Sequence, residues 1–213
     1  MPEDRAVFFI DGNNWYHGCK GIGLDDLGRL DYVKICQKLV GPRTWMASRY
    51  YIGRVPIVGN PRLAADQQRF MYQLLSADAR FSAHYGRIEP RPAINEAAME
   101  IKRYLATLTT RIDPVVYGEL VRIANAHAKT SVMVEKAVDV QIAVDMVVMA
   151  ERGEFETAYL LSADGDLTPA VEAVRAKGKK VFVASPSSGA RLAAACNSYI
   201  RLPRAWFTGM YRP

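Results

Sequence analysis

Apolar and polar residues follow one another along the chain in blocks that predict strands and helices in turn. The strands are short apolar or β-branched runs, and the helices carry apolar residues every three or four positions. The predicted strands are residues 6–10, 44–53, 81–88, 131–134, 157–162, 179–184 and 199–202. The predicted helices follow the turn at residues 11–15 and span residues 31–40, 63–77, 94–108, 114–127, 139–150, 167–176 and 192–196. Strands separated by helices indicate an α/β fold, with a mainly parallel sheet covered by helices on both faces.

One segment departs from this alternation. Pro90 and Pro92 end the third predicted strand, because proline cannot donate to a strand ladder. The two predicted helices that follow make residues 90–129 a helical insertion. We therefore expect a single domain over residues 1–213, with this insertion inside it.

Four aspartates lie where predicted strands or helices begin or end. They are Asp11 in FIDGNN, Asp139 in EKAVDVQIAVD, and Asp164 and Asp166 in LLSADGDL. The carboxyl ends of parallel strands are where an open α/β sheet places its ligands. Gathered carboxylates favour hard cations such as Mg²⁺ or Mn²⁺, which act on phosphate esters. The pattern indicates metal-dependent chemistry on a phosphodiester.

Structural explanations compete for some of these acids. Asp166 or Thr168 could simply cap the following helix, which would leave Asp164 without a capping role. Asp139 could likewise be a helix N-cap. Asp145 lies six residues further on and points about 120° away around the helix, so we interpret it as a supporting or surface residue.

Charge is distributed unevenly along the chain. The net charge is +6, and residues 173–213 hold eight basic residues and no acidic one, leaving 20 basic and 22 acidic residues elsewhere. A cationic stretch beside an acidic metal site would favour a polyanionic substrate. The same charges could equally form an ordinary solvated surface.

Several classes of protein are disfavoured by the sequence. No apolar run reaches the roughly 18 residues of a membrane span, and the N-terminus does not resemble a signal peptide, so we predict a cytoplasmic protein without a membrane partner. The three cysteines, Cys19, Cys36 and Cys196, form no CxxC pair and are expected to be reduced thiols. A haloacid-dehalogenase-type phosphatase would need DxDxT after the first strand, whereas Gly12 and Asn13 follow Asp11.

The order of the motifs resembles a known family. The blocks FIDGNN, EKAVDVQIAVD and LLSADGDLTPAVEAVRAKGKKVFV are similar, in this order, to the signature blocks of the NYN domain, in the LabA-like branch of the PIN-like nuclease superfamily. The resemblance spans residues 7–202. It implies a three-layer α/β/α sandwich and metal-dependent ribonuclease activity on single-stranded or structured RNA, with Mg²⁺ or Mn²⁺ as cofactor.

The resemblance also implies roles for individual residues. Asp11, Asp139 and Asp164 match the family's metal-site acids, and Asp166 matches its last catalytic acid. Asn14, Lys136 and Ser162 match residues near the substrate, and the basic Arg201 and Arg204 are added here as substrate-binding residues. The family commonly has Gly at position 137 and Phe at position 167, where this chain has Ala137 and Leu167. The insertion lacks the cysteines that many relatives carry, which argues against zinc there.

Three residues after the first acid have less certain roles. Trp15 and Tyr16 could stack on bases of a single strand, but aromatic residues in this position more often pack in the core. His17 has the chemistry of a general base, yet no partner is fixed by the sequence, so we expect a partly exposed helix residue.

Two functions from different classes remain open. The first is an endoribonuclease. The second is a catalytically weak module that binds RNA or a protein, with the insertion as its interface, and a homo-oligomer through the insertion is compatible with either. The presence of all four acids favours the enzyme, because a binding module has no use for carboxylates that repel one another and phosphate.

Overall fold

Seven strands form one sheet in the computed structural model, which describes residues 4–212 apart from the side chains of residues 130–132. The strands are β1 Arg5–Asp11, β2 Thr44–Arg54, β3 Phe81–Ile94, β4 Lys129–Lys136, β5 Thr157–Leu161, β6 Lys180–Ser185 and β7 Ser198–Arg201. Their order across the sheet is β4-β3-β2-β1-β5-β6-β7. Five neighbouring pairs are parallel: β3–β2, β2–β1, β1–β5, β5–β6 and β6–β7. The predicted α/β class is confirmed.

Helices cover both faces of this sheet. They are α1 Gly12–Gly21, α2 Tyr32–Val40, α3 Pro61–Ala77, α4 Glu96–Ala106, α5 Pro114–Ala128, α6 Val138–Glu151, α7 Thr168–Ala176 and α8 Ala190–Ala195. Alternate residues of β1 enter two separate cores: Phe8 packs with α1, α2 and α3, and Phe9 packs with α6, α7 and α8. A strand buried on both faces must be apolar throughout, which explains the uninterrupted run before Asp11. The result is the three-layer α/β/α sandwich of PIN-like domains.

The chain divides into two compact units. The larger comprises residues 1–87 and 136–213, and the smaller comprises residues 88–135. Helices α4 and α5 of the smaller unit begin with side-chain caps: Asn95 accepts a hydrogen bond from the amide of Ala98, and Asp113 accepts from those of Val115 and Val116. Among the described residues, no helix is long and apolar enough to cross a membrane.

The expected end of β3 at Ile88, before Pro90, is wrong. The strand continues to Ile94, beyond its pairing with β2, which ends at Arg87. Proline is tolerated in a strand where its missing N–H is not needed by a neighbour. Pro90 and Pro92 lie in this outer part and are exposed.

The register of the central strands prepares the candidate site. Ile10 of β1 lies beside Leu161 of β5, so the residues that follow these two strands meet at the carboxyl edge of the sheet. Those residues are Asp11 and the Ser162–Asp166 loop. Helix α6 packs beside β1 and brings its N-terminal turn to the same edge.

Candidate metal centre

Three of the predicted acids converge at this edge. Asp11, Asp139 and Asp164 each offer a carboxylate oxygen, and the three oxygens lie within 4.8 Å of one another. The acids come from the end of β1, the first turn of α6 and the loop after β5. Residues from three separate parts of the chain therefore build one acidic cluster, which we call the acidic triad.

Asp11 is held most rigidly. Its side chain is 3% exposed and caps α1 by accepting a hydrogen bond from the Asn14 amide at 3.1 Å. The Ser162 hydroxyl donates to its other oxygen at 2.9 Å. A buried carboxylate with donors on both oxygens has a fixed orientation.

Ser162 and Asn14, which are predicted to contact substrate, join the elements of the site through hydrogen bonds. The Ser162 hydroxyl is fully buried and also accepts a hydrogen bond from the Asp164 amide at 3.0 Å, so it links two acids of the triad. The Asn14 side-chain oxygen accepts from the Ala163 amide at 2.9 Å, which ties the start of α1 to the loop after β5. Both residues position the acids.

The capping assignment at the second acidic block is wrong. Asp164, and not Asp166, provides the cap: it accepts a hydrogen bond from the Asp166 amide at 2.9 Å and begins a short 3₁₀ helix, Gly165–Leu167. Helix α7, which follows directly, has no side-chain cap. The absence of a capping role therefore cannot be used to select Asp164 as the metal ligand. Asp164 belongs to the triad by its geometry, whereas Asp166 is exposed beside it.

Asp139 is not a helix cap either, because it lies in the first turn of α6 after Ala137 at the N-cap. Ala137 has a left-handed backbone with φ of 72°. Just before it, the chain passes so close to Gly86 that a Cβ there would lie 2.7 Å from the Lys136 carbonyl oxygen. This tight turn directs the start of α6, and with it Asp139, towards the other acids.

The electrostatics of the triad fit a cation. Partial burial is the main cause that raises the pKa of Asp139, and the negative charges of Asp164 and Asp166 raise it further. Opposite oxygen ligands of Mg²⁺ lie about 4.2 Å apart, since each is about 2.1 Å from the ion. Three carboxylate oxygens within 4.8 Å therefore need little adjustment to bind one divalent cation. The donor set contains oxygen alone, which suits Mg²⁺ or Mn²⁺.

The basic residues lie at different distances from the triad. Lys136 is exposed at the end of β4, immediately before the turn that leads to Asp139. Arg201 ends β7 at the same edge of the sheet, three strands and about 14 Å away from β1. Arg204 lies beside Gly23, beyond the far end of α1, which is about 15 Å long.

Arg191 lies beside the acidic block, although the sequence does not predict it as a substrate-binding residue. A Cβ on Gly165 would lie 3.0 Å from Cδ of Arg191, so the arginine side chain passes over the glycine between Asp164 and Asp166. Arg191 is exposed on α8. The only signal for it in the sequence is its place in the acid-free C-terminal stretch, which does not separate it from seven other basic residues.

Asp145 is neither a ligand nor a simple surface residue. It forms an ion pair with Arg49 at 2.8 Å and accepts a hydrogen bond from the Tyr51 hydroxyl at 2.7 Å. His84 stacks on Tyr51 with ring centroids 4.9 Å apart, and burial, followed by the charge of Arg49, lowers its pKa. This network fixes α6 against β2 and β3, and no spacing in the sequence reveals it.

Comparison with known proteins places this geometry in context. No curated protein sequence matches the chain significantly. A crystal structure of a protein of unknown function from Vibrio parahaemolyticus RIMD 2210633 is similar, with a TM-score of 0.58 and 16% identity, covering 95% of this chain and 94% of that one. This likeness concerns the fold alone. Residues 5–203 match the NYN domain, so the chain belongs to the NYN domain family.

Proposed function

We propose that this protein is a metal-dependent endoribonuclease of the LabA-like branch of NYN domains. One observation carries the proposal: in a PIN-like nuclease domain, three carboxylates from separate parts of the chain lie within 4.8 Å at the carboxyl edge of the sheet. Such a cluster costs free energy through mutual repulsion. A bound cation would offset that cost.

Asp11, Asp139 and Asp164 would hold Mg²⁺ or Mn²⁺. A divalent cation in such a site activates water and neutralises charge on the scissile phosphate and the leaving oxygen. The chain itself supplies orientation, because Ser162 holds Asp11 while Asp11 and Asp164 both cap helices. Asp166, exposed beside the triad, would accept a proton from an attacking water.

Basic side chains would guide the phosphate backbone to the triad. Arg191 is the basic side chain that packs against the acidic loop, and Lys136 lies one turn before Asp139. Arg201, on the same edge, would contact a phosphate further along the strand. Arg204 lies beyond the end of α1 and would contribute less to binding near the cut.

The proposal is tested by replacing the triad acids. We expect Asp139→Asn and Asp164→Asn each to lower Mn²⁺-dependent cleavage of a single-stranded RNA by about 100-fold or more, because removing a metal-site contact typically costs at least 10–100-fold. Circular dichroism should show intact folding. Asp66→Asn, an exposed acid on α3, is the matched control and should leave the rate unchanged. Equal cleavage by the triad variants and the control would contradict the proposal.

A further inference from the structure

A cavity of about 390 Å³ lies against α1, on the opposite face of the sheet from α6. Its lining comes from α1, the turn before α2, the end of β2 and the start of α3. A cavity of this size falls in the range that accepts small organic groups. It lies wholly within the larger of the two units.

Five aromatic side chains contribute to the walls of this cavity. Tyr32, Tyr50 and Phe70 contact one another edge to face, with ring centroids 5.6–5.8 Å apart, and Trp15 and Tyr16 complete the lining. Tyr16 is 43% exposed. Flat walls with an exposed aromatic ring suit a planar aromatic guest, which can stack on several of them.

Two polar groups of these walls are already engaged within the protein. The indole N–H of Trp15 is buried inside the wall, within reach of the Tyr32 side chain. Gln67 is already used, since it accepts from the Val55 amide and donates to the Gly53 carbonyl. Stacking on the aromatic rings would therefore hold a guest in this cavity.

The cavity and the acidic triad share one turn of the chain. Gly12 and Asn13 line the cavity and directly follow Asp11. Gly12 also has no room for a side chain, because a Cβ would lie 2.6 Å from the Tyr50 ring and 2.8 Å from the Tyr51 carbonyl oxygen. A group in the cavity and a phosphate at the triad would therefore meet at this shared turn.

We infer that this cavity, the base pocket, receives an unpaired nucleobase of the RNA beside the phosphate that is cut. The inference rests on the proposed function for its substrate. A nucleobase is planar, aromatic and linked to a phosphate, which are the properties that the pocket and the adjoining triad require together. Pairing in a duplex would hide the base, so the substrate is single-stranded at this nucleotide.

The test measures RNA binding apart from cleavage. All proteins carry Asp139→Asn, which removes cleavage and lessens the repulsion of phosphate, and a fluorescein-labelled single-stranded RNA is titrated in Mg²⁺ buffer at low salt. We expect Tyr16→Ala to weaken binding about tenfold, since stacking on one aromatic ring is worth about that much per base. Tyr72→Ala, which removes an exposed tyrosine of α3 outside the pocket, is the matched control and should have no effect.

A set of RNAs with one abasic nucleotide at each position locates the base. At one position, the abasic substitution should weaken binding about tenfold for the protein that keeps Tyr16. The same RNA should bind the Tyr16→Ala protein no more weakly than the intact RNA does. Equal binding by Tyr16→Ala and Tyr72→Ala, no sensitive abasic position, or no RNA binding at all would each overturn the inference. Failure of the proposed function is seen separately, as cleavage by the protein with Asn at position 139 that equals cleavage by the wild type.

Discussion

At the scale of single residues, the acids of the triad differ in how they are held. Asp11 is buried and fixed by two donors. Asp139 is more open to solvent, yet partial burial of its carboxylate, followed by the charges of Asp164 and Asp166, raises its pKa. The sequence predicts which acids lie at strand and helix ends, because apolar runs and turns are local patterns. It does not predict that Ser162 joins Asp11 to Asp164, because that hydrogen-bond pattern depends on the register of β1 and β5.

Replacing Ser162 tests this positioning role. Ser162→Ala removes the donor to Asp11 and leaves the Asp164 amide without its acceptor, so we expect about 10–100-fold weaker Mn²⁺ binding by calorimetry. The free energy of unfolding should fall by about 1–3 kcal/mol. The control is Ser185→Ala. Ser185 is a buried serine at the end of β6 that accepts a hydrogen bond from the Ser187 amide, so its loss should lower the free energy of unfolding and leave Mn²⁺ affinity unchanged. Equal metal affinity in the two variants would contradict the role.

At the scale of elements, the order of strands and helices follows from the sequence, but two features do not. The first is the continuation of β3 through its prolines. Proline excludes a strand only where its missing N–H is needed, and that depends on the neighbouring strand. The left-handed turn before α6 is also hidden, because Ala137 replaces the glycine that would have signalled it. Both features are set by contacts between elements.

The turn before α6 carries a cost that glycine would relieve. A left-handed conformation costs an L-residue about 1–2 kcal/mol, and glycine avoids this cost. Part of the gain is offset because glycine loses more backbone entropy on folding than alanine does. We therefore expect Ala137→Gly to raise the free energy of unfolding by about 0.5–1 kcal/mol in urea titrations. Ala173→Gly, inside α7, should lower it by about 1 kcal/mol. Destabilisation by both substitutions would contradict the account of this turn.

At the scale of the whole molecule, the basic residues of the C-terminal stretch lie in different places relative to the acidic triad. Arg191, Arg201 and Arg204 belong to one acid-free stretch, yet Arg191 lies against the acidic loop and Arg204 lies beyond the end of α1. Composition counts charges without their positions, so it could not separate these residues. Under the proposed function, Arg191 would have the first role in attracting a phosphate.

Salt dependence measures these charges separately. We expect Arg191→Ala to weaken binding of single-stranded RNA and to reduce the slope of log affinity against log salt by about 0.7, the value for one phosphate contact on a single strand. Arg204→Ala should change the slope less. The opposite order, or equal slopes in both variants, would contradict the assigned positions of phosphate.

The central claim is that Asp11, Asp139 and Asp164 form one site for a divalent cation. Anomalous diffraction from crystals soaked in Mn²⁺ tests it most directly. The account predicts a single manganese peak about 2.0–2.3 Å from a carboxylate oxygen of each of the three aspartates, and no peak there in crystals of Asp139→Asn. Manganese absent from the triad of the wild-type protein, or retained unchanged in Asp139→Asn, would contradict it.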